Sequence, residues 1–483
     1  MKVKNGLVIV ASVLFYAYGE PVYVLLILVS SVVNYFFGRL LNRFYERKAL
    51  SEDEQAAHAL QRNAKVVVVV SAVTNLAFLG VFKYAGMFVQ TADMFGLALN
   101  IPGIALPIGI SFYTFEAISY IMDVYRGEVV ATRSYPKMLL FISFFPHLIA
   151  GPILKYHDVE KQLDSRKASA ADIAAGMRRF TVGLGKKVLI ANTMAAVADA
   201  VYGANLGDVN VAVAWIGALS YLMQIYFDFS GYSDMAIGLA RMFGFRYKEN
   251  FNYPYISSSI QEFWRRWHIS LTTWFKEYLY FPLGGNRKGK ARASFNRVVV
   301  FFCCGLWHGA SWTFVIWGLF HGLFLLLEEY LPIKKLPKAV GVIYALLVVT
   351  IGFVLFRAND IGQAGYFVAQ MFTGFHFETA SVSLALRQLT PAFIVAFVVS
   401  VVACMPVKGW LSAAIKKHEA KGMGDGMGEA DGEAAGEALA VPRQSTWVRA
   451  LVAGSYIVSI VLLLVCLFSL SGGGYNPFIY FRF

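Results

Sequence analysis

Long, unbroken apolar blocks recur along nearly the whole chain, as in "VGVIYALLVVTIGFVLF" (340–356). Blocks of this kind predict helices, whereas strands of a membrane barrel would alternate apolar and polar residues. Lipid offers no partner to an unpaired backbone group, so helices are the expected spanning element. The pattern predicts an all-α polytopic membrane protein with eleven crossings, at about 6–19, 21–41, 65–88, 104–123, 188–203, 210–229, 297–308, 311–328, 339–356, 390–407 and 449–470.

Two further stretches are apolar but make poor crossings. "FISFFPHLIAGPIL" (141–154) contains two prolines and a glycine, and 252–285 mixes aromatic with charged residues. Irregular backbone at membrane depth is tolerated only where protein buries it or where it lines a wet cavity. We therefore predict re-entrant or interfacial helices around a cavity. The predicted organisation is a membrane core (1–410), a cytoplasmic low-complexity loop (411–447), a last transmembrane helix (448–471) and an extracytoplasmic tail (472–483).

Composition and charge agree with a membrane protein. The chain is 58% hydrophobic and 15% charged, against about 25% charged in ordinary soluble domains. Its net charge of +13 does not indicate nucleic-acid binding, because lysine and arginine collect in loops that all fit one side. The positive-inside rule makes that side the cytoplasm. Eleven crossings then place the N-terminus in the cytoplasm and the C-terminus outside, as in a bacterial inner membrane. The four cysteines show no metal or disulfide spacing and are interpreted as packing residues.

The chain ends in "GGGYNPFIYFRF" (472–483), with five aromatic residues among the last nine. A disordered tail would be polar. The pattern predicts a flexible glycine hinge followed by a segment that becomes buried at the extracytoplasmic face.

The first candidate chemistry is "GLWHGASWTFVIWGLFHG" (305–322), which carries His308 and His321 among three tryptophans. A histidine inside an apolar helix is a candidate general base, because imidazole titrates near neutral pH. The alternative is a histidine bonded to a neighbouring carbonyl, and two His-Gly units so close together favour function. Gly309 is expected to break the helix, so spacing alone does not show whether the histidines face each other.

Two other clusters carry ionisable groups. In "QIYFDFSGYSDMAIG" (224–238), Asp228 and Asp234 flank a predicted Ser-Gly turn, and they either orient a histidine or belong to a helix cap. In "QEFWRRWHIS" (261–270), Arg265 and its neighbours suit either an anionic ligand such as a nucleotide phosphate or lipid headgroups. No nucleophile elbow, metalloprotease helix, phosphate-binding loop or H-x-x-x-x-D arrangement occurs, and no metal is expected.

These motifs resemble the membrane-bound O-acyltransferase (MBOAT) family. The resemblance rests on "YFDFSGYSDMAIG", "NFNYPYISSSIQEFWRRWHISLTTWFKEYLYFPLGGNR" and "GLWHGASWTFVIWGLFHG", with support from 106–127 and 144–153, and it covers about residues 1–410. It is closest to the bacterial branch of alginate and peptidoglycan O-acetyltransferase membrane subunits. The resemblance implies a ring of about eleven helices around a central tunnel, His321 as active-site histidine and His308 as its second histidine. Expected tunnel residues are Trp317, Trp307, Asp228, Gln224, Trp264, Arg265, His268 and Asn296.

The tail also resembles an aromatic-tyrosine-aromatic signature of this branch, with Tyr480 as the matching tyrosine. One hypothesis is an acyl relay, in which His321 helps to deprotonate Tyr480 and the phenolate carries the acyl group. The alternative is an aromatic anchor at the membrane interface.

The implied function is transfer of an acetyl group from a cytoplasmic donor for O-acetylation of an extracytoplasmic polysaccharide, either an alginate-like exopolysaccharide or peptidoglycan. Acetyl-CoA is the expected donor, with acyl carrier protein as the alternative. An extracytoplasmic SGNH-type acetyltransferase, the polysaccharide acceptor and membrane lipid are the expected partners. Lipid or protein O-acyltransfer remains open, as does a transporter or flippase without enzymatic activity.

Overall fold

The computed structural model describes residues 1–97, 104–407, 409–410, 413, 446–472 and 478–479. Over this part of the chain the secondary structure is helical, and no strand occurs. The prediction of an all-α protein is confirmed at this level. Of the predicted regions, most of the 411–447 loop and most of the tail, Tyr480 included, lie outside the described residues.

The first part of the chain forms long helices that pack on one another. A π-helical turn, Gly80–Tyr84, joins the third and fourth helices into one continuous segment. The helices are α1 (Lys2–Gly19), α2 (Val24–Ala49), α3 (Glu54–Leu79), α4 (Ala85–Met94) and α5 (Ile110–Arg126).

The next part alternates short and long helices. The segment 141–154, predicted to be a poor crossing, is broken into short helices and is mostly buried in protein. The prediction that it is re-entrant stays open. The helices are α6 (Tyr135–Ser143), α7 (Phe145–Leu148), α8 (Tyr156–Asp164), α9 (Ala170–Gly185), α10 (Asn192–Tyr202) and α11 (Val211–Met242).

Of the remaining helices, α16 to α19 (338–403) pack on α11. Two short helices fall in the second poor crossing, and longer ones follow. They are α12 (Ile260–Arg266), α13 (Ile269–Phe275), α14 (Lys290–His308), α15 (Trp312–Tyr330), α16 (Lys338–Arg357), α17 (Ile361–Thr373), α18 (Thr379–Gln388), α19 (Pro391–Ala403) and α20 (Thr446–Ser471).

Six described helical segments are long and apolar enough to cross a membrane, or seven if the pair α18–α19, bent by 65°, counts as one span. The protein is therefore a multi-pass membrane protein, and the count of eleven crossings stays a prediction. The six segments are Val24–Ala49, Glu54–Met94, Val211–Met242, Trp312–Tyr330, Lys338–Arg357 and Ala453–Ser471.

Helix α11 is the central element. In its most apolar stretch 72% of the residues are buried, against 6% in α20. The sequence predicts a turn at Ser230–Gly231, but this prediction is wrong, because α11 continues through both residues. Packing overrides the weak helix propensity of this dipeptide. Both residues are buried inside the bundle, where the unbroken helix satisfies their backbone groups.

Glycines allow α9 and α11 to approach closely. A Cβ atom added at Gly183 would lie 2.5 Å from the Gly231 carbonyl oxygen, and one at Gly231 would lie 2.7 Å from the Gly183 carbonyl oxygen. Gly176 and Gly238 form the same reciprocal contact at 2.6 Å. Small residues permit such backbone approach between membrane helices. The contact brings the lysines that follow α9 beside the carboxylates of α11.

Replacing Gly231 by alanine is expected to lower the free energy of unfolding by about 1–3 kcal/mol, since the added methyl group overpacks the α9–α11 contact. Thermal unfolding in detergent measures the effect. Gly6→Ala is the matched control, because a Cβ there meets no atom within 4 Å. An equal or higher melting temperature for Gly231→Ala than for Gly6→Ala would show that the close approach is not structural.

Candidate active site

The helical hairpin α14–α15 carries both candidate histidines. Helix α14 ends at His308, Gly309 is extended (φ −163°), and α15 begins at Trp312. The two helices pack so closely that a side chain at Gly305 or Gly318 would collide with a carbonyl group of the facing helix. The predicted break at Gly309 is confirmed, and it turns the chain back so that the second half of the motif runs beside the first.

His321 lies at the centre of an aromatic cage. Its side chain is 0% exposed. The imidazole meets the ring of Trp317 with centroids 5.0 Å apart, the ring of Trp264 at 5.2 Å and the ring of Phe320 at 5.6 Å, all edge to face. On a further side, Gly352 of α16 approaches so closely that a Cβ atom there would lie 2.8 Å from Nε2 of His321.

Neither ring nitrogen of His321 has a hydrogen-bond partner among the described residues. The alternative of a histidine bonded to a neighbouring carbonyl is therefore not what the structure shows. A buried polar group without a partner costs about 1–3 kcal/mol, and a catalytic role is one explanation for it. The caged imidazole is available to a bound substrate.

The structure brings His308 close to His321 through one shared ring. His308 meets Trp317 with centroids 4.9 Å apart, and Trp317 in turn meets His321. His308 also contacts Trp307 at 5.0 Å and Phe356 at 5.2 Å. The two histidines are thus arranged around Trp317, which the spacing along the sequence does not show.

Other predicted tunnel residues add buried polar atoms to this region. The indole nitrogens of Trp264 and Trp317 and Oε1 of Gln224 are buried and make no hydrogen bond within the described part of the chain. All three lie on elements of the same hydrophobic cluster. Indole is a donor only, whereas an amide oxygen is an acceptor. A ligand in this region would therefore find both kinds of partner.

His268 extends the site toward α11. It is fully buried and adopts a left-handed backbone conformation (φ 43°), which is uncommon for a residue other than glycine. The centroid of its ring lies 4.6 Å from the ring centroid of Phe229 and 5.8 Å from that of Trp307. Its Nδ1 lies 3.3 Å from Oδ1 of Asn250. Backbone strain of this kind clusters at functional sites.

Asp228 connects α11 to the C-terminal tail. Its Oδ1 lies 2.6 Å from Nζ of Lys187, and its Oδ2 accepts a hydrogen bond of 2.7 Å from the backbone N–H of Ile479. Ile479 is 3% exposed, and the buried ring of Phe478 packs 4.7 Å from the ring of Tyr232. The prediction that the tail becomes buried is confirmed for these two residues.

Asp234 has a different role from Asp228. It lies one and a half turns further along α11, where Lys186 approaches Oδ2 at 2.7 Å and Arg179 approaches Oδ1 at 2.8 Å. The hydrogen bonds of Asp234 go to basic side chains, and Asp228 accepts from the Ile479 amide. Because α11 continues unbroken through both aspartates, the capping alternative is wrong, whereas histidine orientation stays a prediction. The ion pairs join α11 to Arg179 of α9 and to the two lysines that follow α9.

Two predicted site residues are not part of the aromatic cage. Arg265 is exposed on α12. Asn296 is buried, and its side-chain nitrogen donates to the carbonyl oxygens of Leu283 and Gly285 at 3.3 and 3.1 Å. These contacts tie Asn296, a residue of α14, to the turn that precedes the helix.

The sequence analysis misses Lys83 and Tyr84, although Lys83 is a charge inside a predicted crossing. Its ammonium donates to the carbonyl oxygens of Trp307 and His308, and the hydroxyl of Tyr84 donates to that of Leu306. An ionisable residue within a membrane segment is a functional candidate by default. That signal alone would have found Lys83.

Comparisons with known proteins agree with this arrangement. The family model described as "MBOAT, membrane-bound O-acyltransferase family" matches residues 128–332, which include the caged histidines. An Azotobacter vinelandii protein named "Probable alginate O-acetylase AlgI" is 38% identical over 99% of this chain and 95% of its own length. A Helicobacter pylori protein named "Peptidoglycan O-acetyltransferase" is 34% identical over 74% of this chain and 71% of its own.

A more distant relative is the Bacillus subtilis protein named "Teichoic acid D-alanyltransferase", which is 30% identical over 52% of this chain and 67% of its own length. The full-length match to the Azotobacter vinelandii protein confirms the resemblance drawn from the motifs. The chain therefore belongs to the membrane-bound O-acyltransferase family, in the branch of the alginate and peptidoglycan enzymes, and is an O-acyltransferase.

Proposed function

We propose that the protein transfers an acetyl group from cytoplasmic acetyl-CoA across the bacterial inner membrane for O-acetylation of an extracytoplasmic polysaccharide. The names of its relatives support an acceptor such as an alginate-like exopolysaccharide or peptidoglycan. The resemblance to this branch of the family implies an SGNH-type acetyltransferase on the outer face as the partner that completes the transfer. Acyl carrier protein is the alternative donor.

The observation that carries the proposal is the caged His321 with two unpaired ring nitrogens. A neutral imidazole has one donor and one acceptor nitrogen, so it takes a proton from a nucleophile at one position. The cage keeps water away from this nitrogen, which protects a thioester and an acyl intermediate from hydrolysis. His308, across Trp317, is the second histidine of the site.

In the proposed reaction the tail is the first acceptor. His321 removes the proton of the Tyr480 hydroxyl, and the phenolate oxygen attacks the thioester carbonyl of acetyl-CoA. The carbon–sulfur bond breaks, an aryl ester forms on Tyr480, and the departing thiolate takes the proton from the imidazolium. The ester then passes its acetyl group to a hydroxyl on the outer side, and Tyr480 regains a proton.

The position of the tail supports this relay, although Tyr480 itself lies outside the described residues. Ile479, its neighbour in the chain, is bound to Asp228 of α11 and is buried. Phe478 packs against Phe229, whose ring also contacts His268. A surface anchor would not need a buried carboxylate for its backbone, so these contacts favour the relay over the anchor.

The topology expected from loop charge fits the same scheme. With a cytoplasmic N-terminus and an outer C-terminus, the donor and the acceptor would be on opposite faces of the membrane. The tail would be on the same face as the acceptor. The chain would then divide into a membrane core (1–410), a cytoplasmic loop (411–447), a last helix (448–471) and a relay segment (472–483).

Replacing His321 by alanine is expected to lower the kcat of acetyl transfer by about 10²–10⁴-fold, because the general base is lost. The assay follows CoA release from acetyl-CoA by purified protein in vesicles with an acceptor and its SGNH-type partner. Acetyl-CoA binding should persist. His58→Ala is the control, since that side chain is 79% exposed.

A transporter or flippase would give a different result in this assay. It would release no CoA under any condition, and His321→Ala would then change only solute movement. An unchanged kcat in His321→Ala, with the His58→Ala control active, would contradict the assignment of the base.

Replacing Asp228 by asparagine is expected to lower kcat by about tenfold or more, because the charge that holds Lys187 and the Ile479 amide is lost. The KM for acetyl-CoA should stay within about twofold. Asp234→Asn is the matched control, since Asp234 pairs with Lys186 and Arg179 and does not contact Ile479. Equal losses in both variants would indicate a general effect of ion pairing on α11 rather than tail docking.

Replacing Gly352 by alanine tests the position of the imidazole without removing it. The added Cβ would lie 2.8 Å from Nε2 of His321, so the ring must shift, and kcat should fall by about tenfold or more. Gly365→Ala on α17 is the control, because a Cβ there meets no atom within 4 Å. If both variants retain the wild-type kcat, the ring position is not critical.

A further inference from the structure

Lys83 is a buried cation within a membrane helix. It lies in the π-helical turn Gly80–Tyr84, inside the apolar segment Glu54–Met94, and is 9% exposed. No carboxylate among the described residues forms an ion pair with it. Burying a charge without a counter-charge is costly, so its contacts must compensate for the lost solvation.

Lys83 contacts neutral oxygens, most of them carbonyl oxygens at the end of α14. Nζ of Lys83 donates to the carbonyl oxygen of Trp307 at 2.5 Å and to that of His308 at 3.2 Å. It also lies 3.3 Å from Oγ of Ser111. The hydroxyl of Tyr84, the next residue, donates to the carbonyl oxygen of Leu306 at 2.6 Å. Three successive carbonyls of α14 are therefore bound by two successive side chains of one π turn.

The last carbonyls of an α-helix have no intrahelical donor and carry a partial negative charge. A lysine ammonium satisfies both the hydrogen bonding and the charge. The residue that follows is Gly309, which is extended and has no side chain to bond these carbonyls. π turns are frequent at functional sites, and here one faces the active-site hairpin.

The bound backbone belongs to residues whose rings form the site. Trp307 meets His268 with centroids 5.8 Å apart, and His308 meets Trp317, which contacts His321. A small movement of the helix end would therefore displace two members of the cluster together. Misplacement of a reacting group by about 1 Å can cost about a hundredfold in rate.

We propose that Lys83 is a positioning residue for acyl transfer, and that its ammonium fixes the C-terminus of α14 so that His308 and Trp307 stay in register with His321. This inference rests on the proposed function for its catalytic part. The clamp itself, formed by Lys83 and Tyr84 on the carbonyls of 306–308, is a structural claim that stands independently.

The test compares Lys83→Met, which keeps length but removes charge and donors, with the conservative variant Lys83→Arg. Lys65→Met is the matched control, since Lys65 is exposed on α3. Per folded protein, Lys83→Met should lower kcat by about tenfold or more while the KM for acetyl-CoA stays within about twofold. Lys83→Arg should recover a large part of kcat, because it restores a charged donor.

Hydrogen exchange measured by mass spectrometry provides a readout that does not depend on activity. Peptides covering 301–311 should exchange faster in Lys83→Met than in wild type or Lys65→Met, and peptides of α2 should not change. If wild type shows no acyl transfer, the proposed function fails, and faster exchange would still support the clamp.

Three outcomes would overturn the inference. Unchanged exchange in Lys83→Met removes the clamp, and faster exchange with wild-type kcat removes its role in transfer. A raised KM with unchanged kcat makes Lys83 part of donor binding instead. If Lys83→Met gives no folded protein, Tyr84→Phe takes its place, and the clamp then predicts faster exchange in 301–311 together with a smaller loss of kcat.

Discussion

A packed apolar bundle in a membrane offers no water to polar groups, so each buried donor or acceptor needs a partner within the protein or loses about 1–3 kcal/mol. The side-chain amides of Asn34 and Asn75 meet this constraint by bonding to each other. Nδ2 of Asn34 donates to Oδ1 of Asn75 at 3.0 Å, and Nδ2 of Asn75 donates to Oδ1 of Asn34 at 2.8 Å. The nitrogens of His321 do not meet it within the described chain. Packed aromatic rings surround them, and under the proposed function a substrate would supply the missing partners.

Charged groups inside the bundle also need partners, and one such ion pair connects the bundle to the C-terminal tail. The glycine contact between α9 and α11 brings Lys187 within 2.6 Å of Asp228. That lysine leaves one carboxylate oxygen for the amide of Ile479, so an ion pair of the core also holds the tail. Removing either partner would leave a buried charge unpaired, so a loss of stability is expected from such a change.

Much of this architecture follows from the sequence. Block hydrophobicity identifies the membrane class, and two His-Gly units among tryptophans indicate the candidate site. The relation between His308 and His321 does not follow, because Gly309 breaks the helix and only the return of α15 brings both against Trp317. The expected turn at Ser230–Gly231 fails for a similar reason, since contact with α9, remote in sequence, favours a continuous helix. Arg265 shares a motif with Trp264 and His268 but is exposed, and Asn296 bonds to the carbonyl of Gly285 in the turn before α14.

The central claim is that the caged His321 acts on the tail that Asp228 holds. Mass spectrometry of the C-terminal peptide 472–483 tests it most directly, after purified wild type, His321→Ala and Tyr480→Phe are incubated with isotope-labelled acetyl-CoA. The account predicts label on Tyr480 in wild type and none on this peptide in either variant. CoA release to an acceptor without any label on the peptide would contradict it, because the acyl group would then pass directly and the tail would be an anchor.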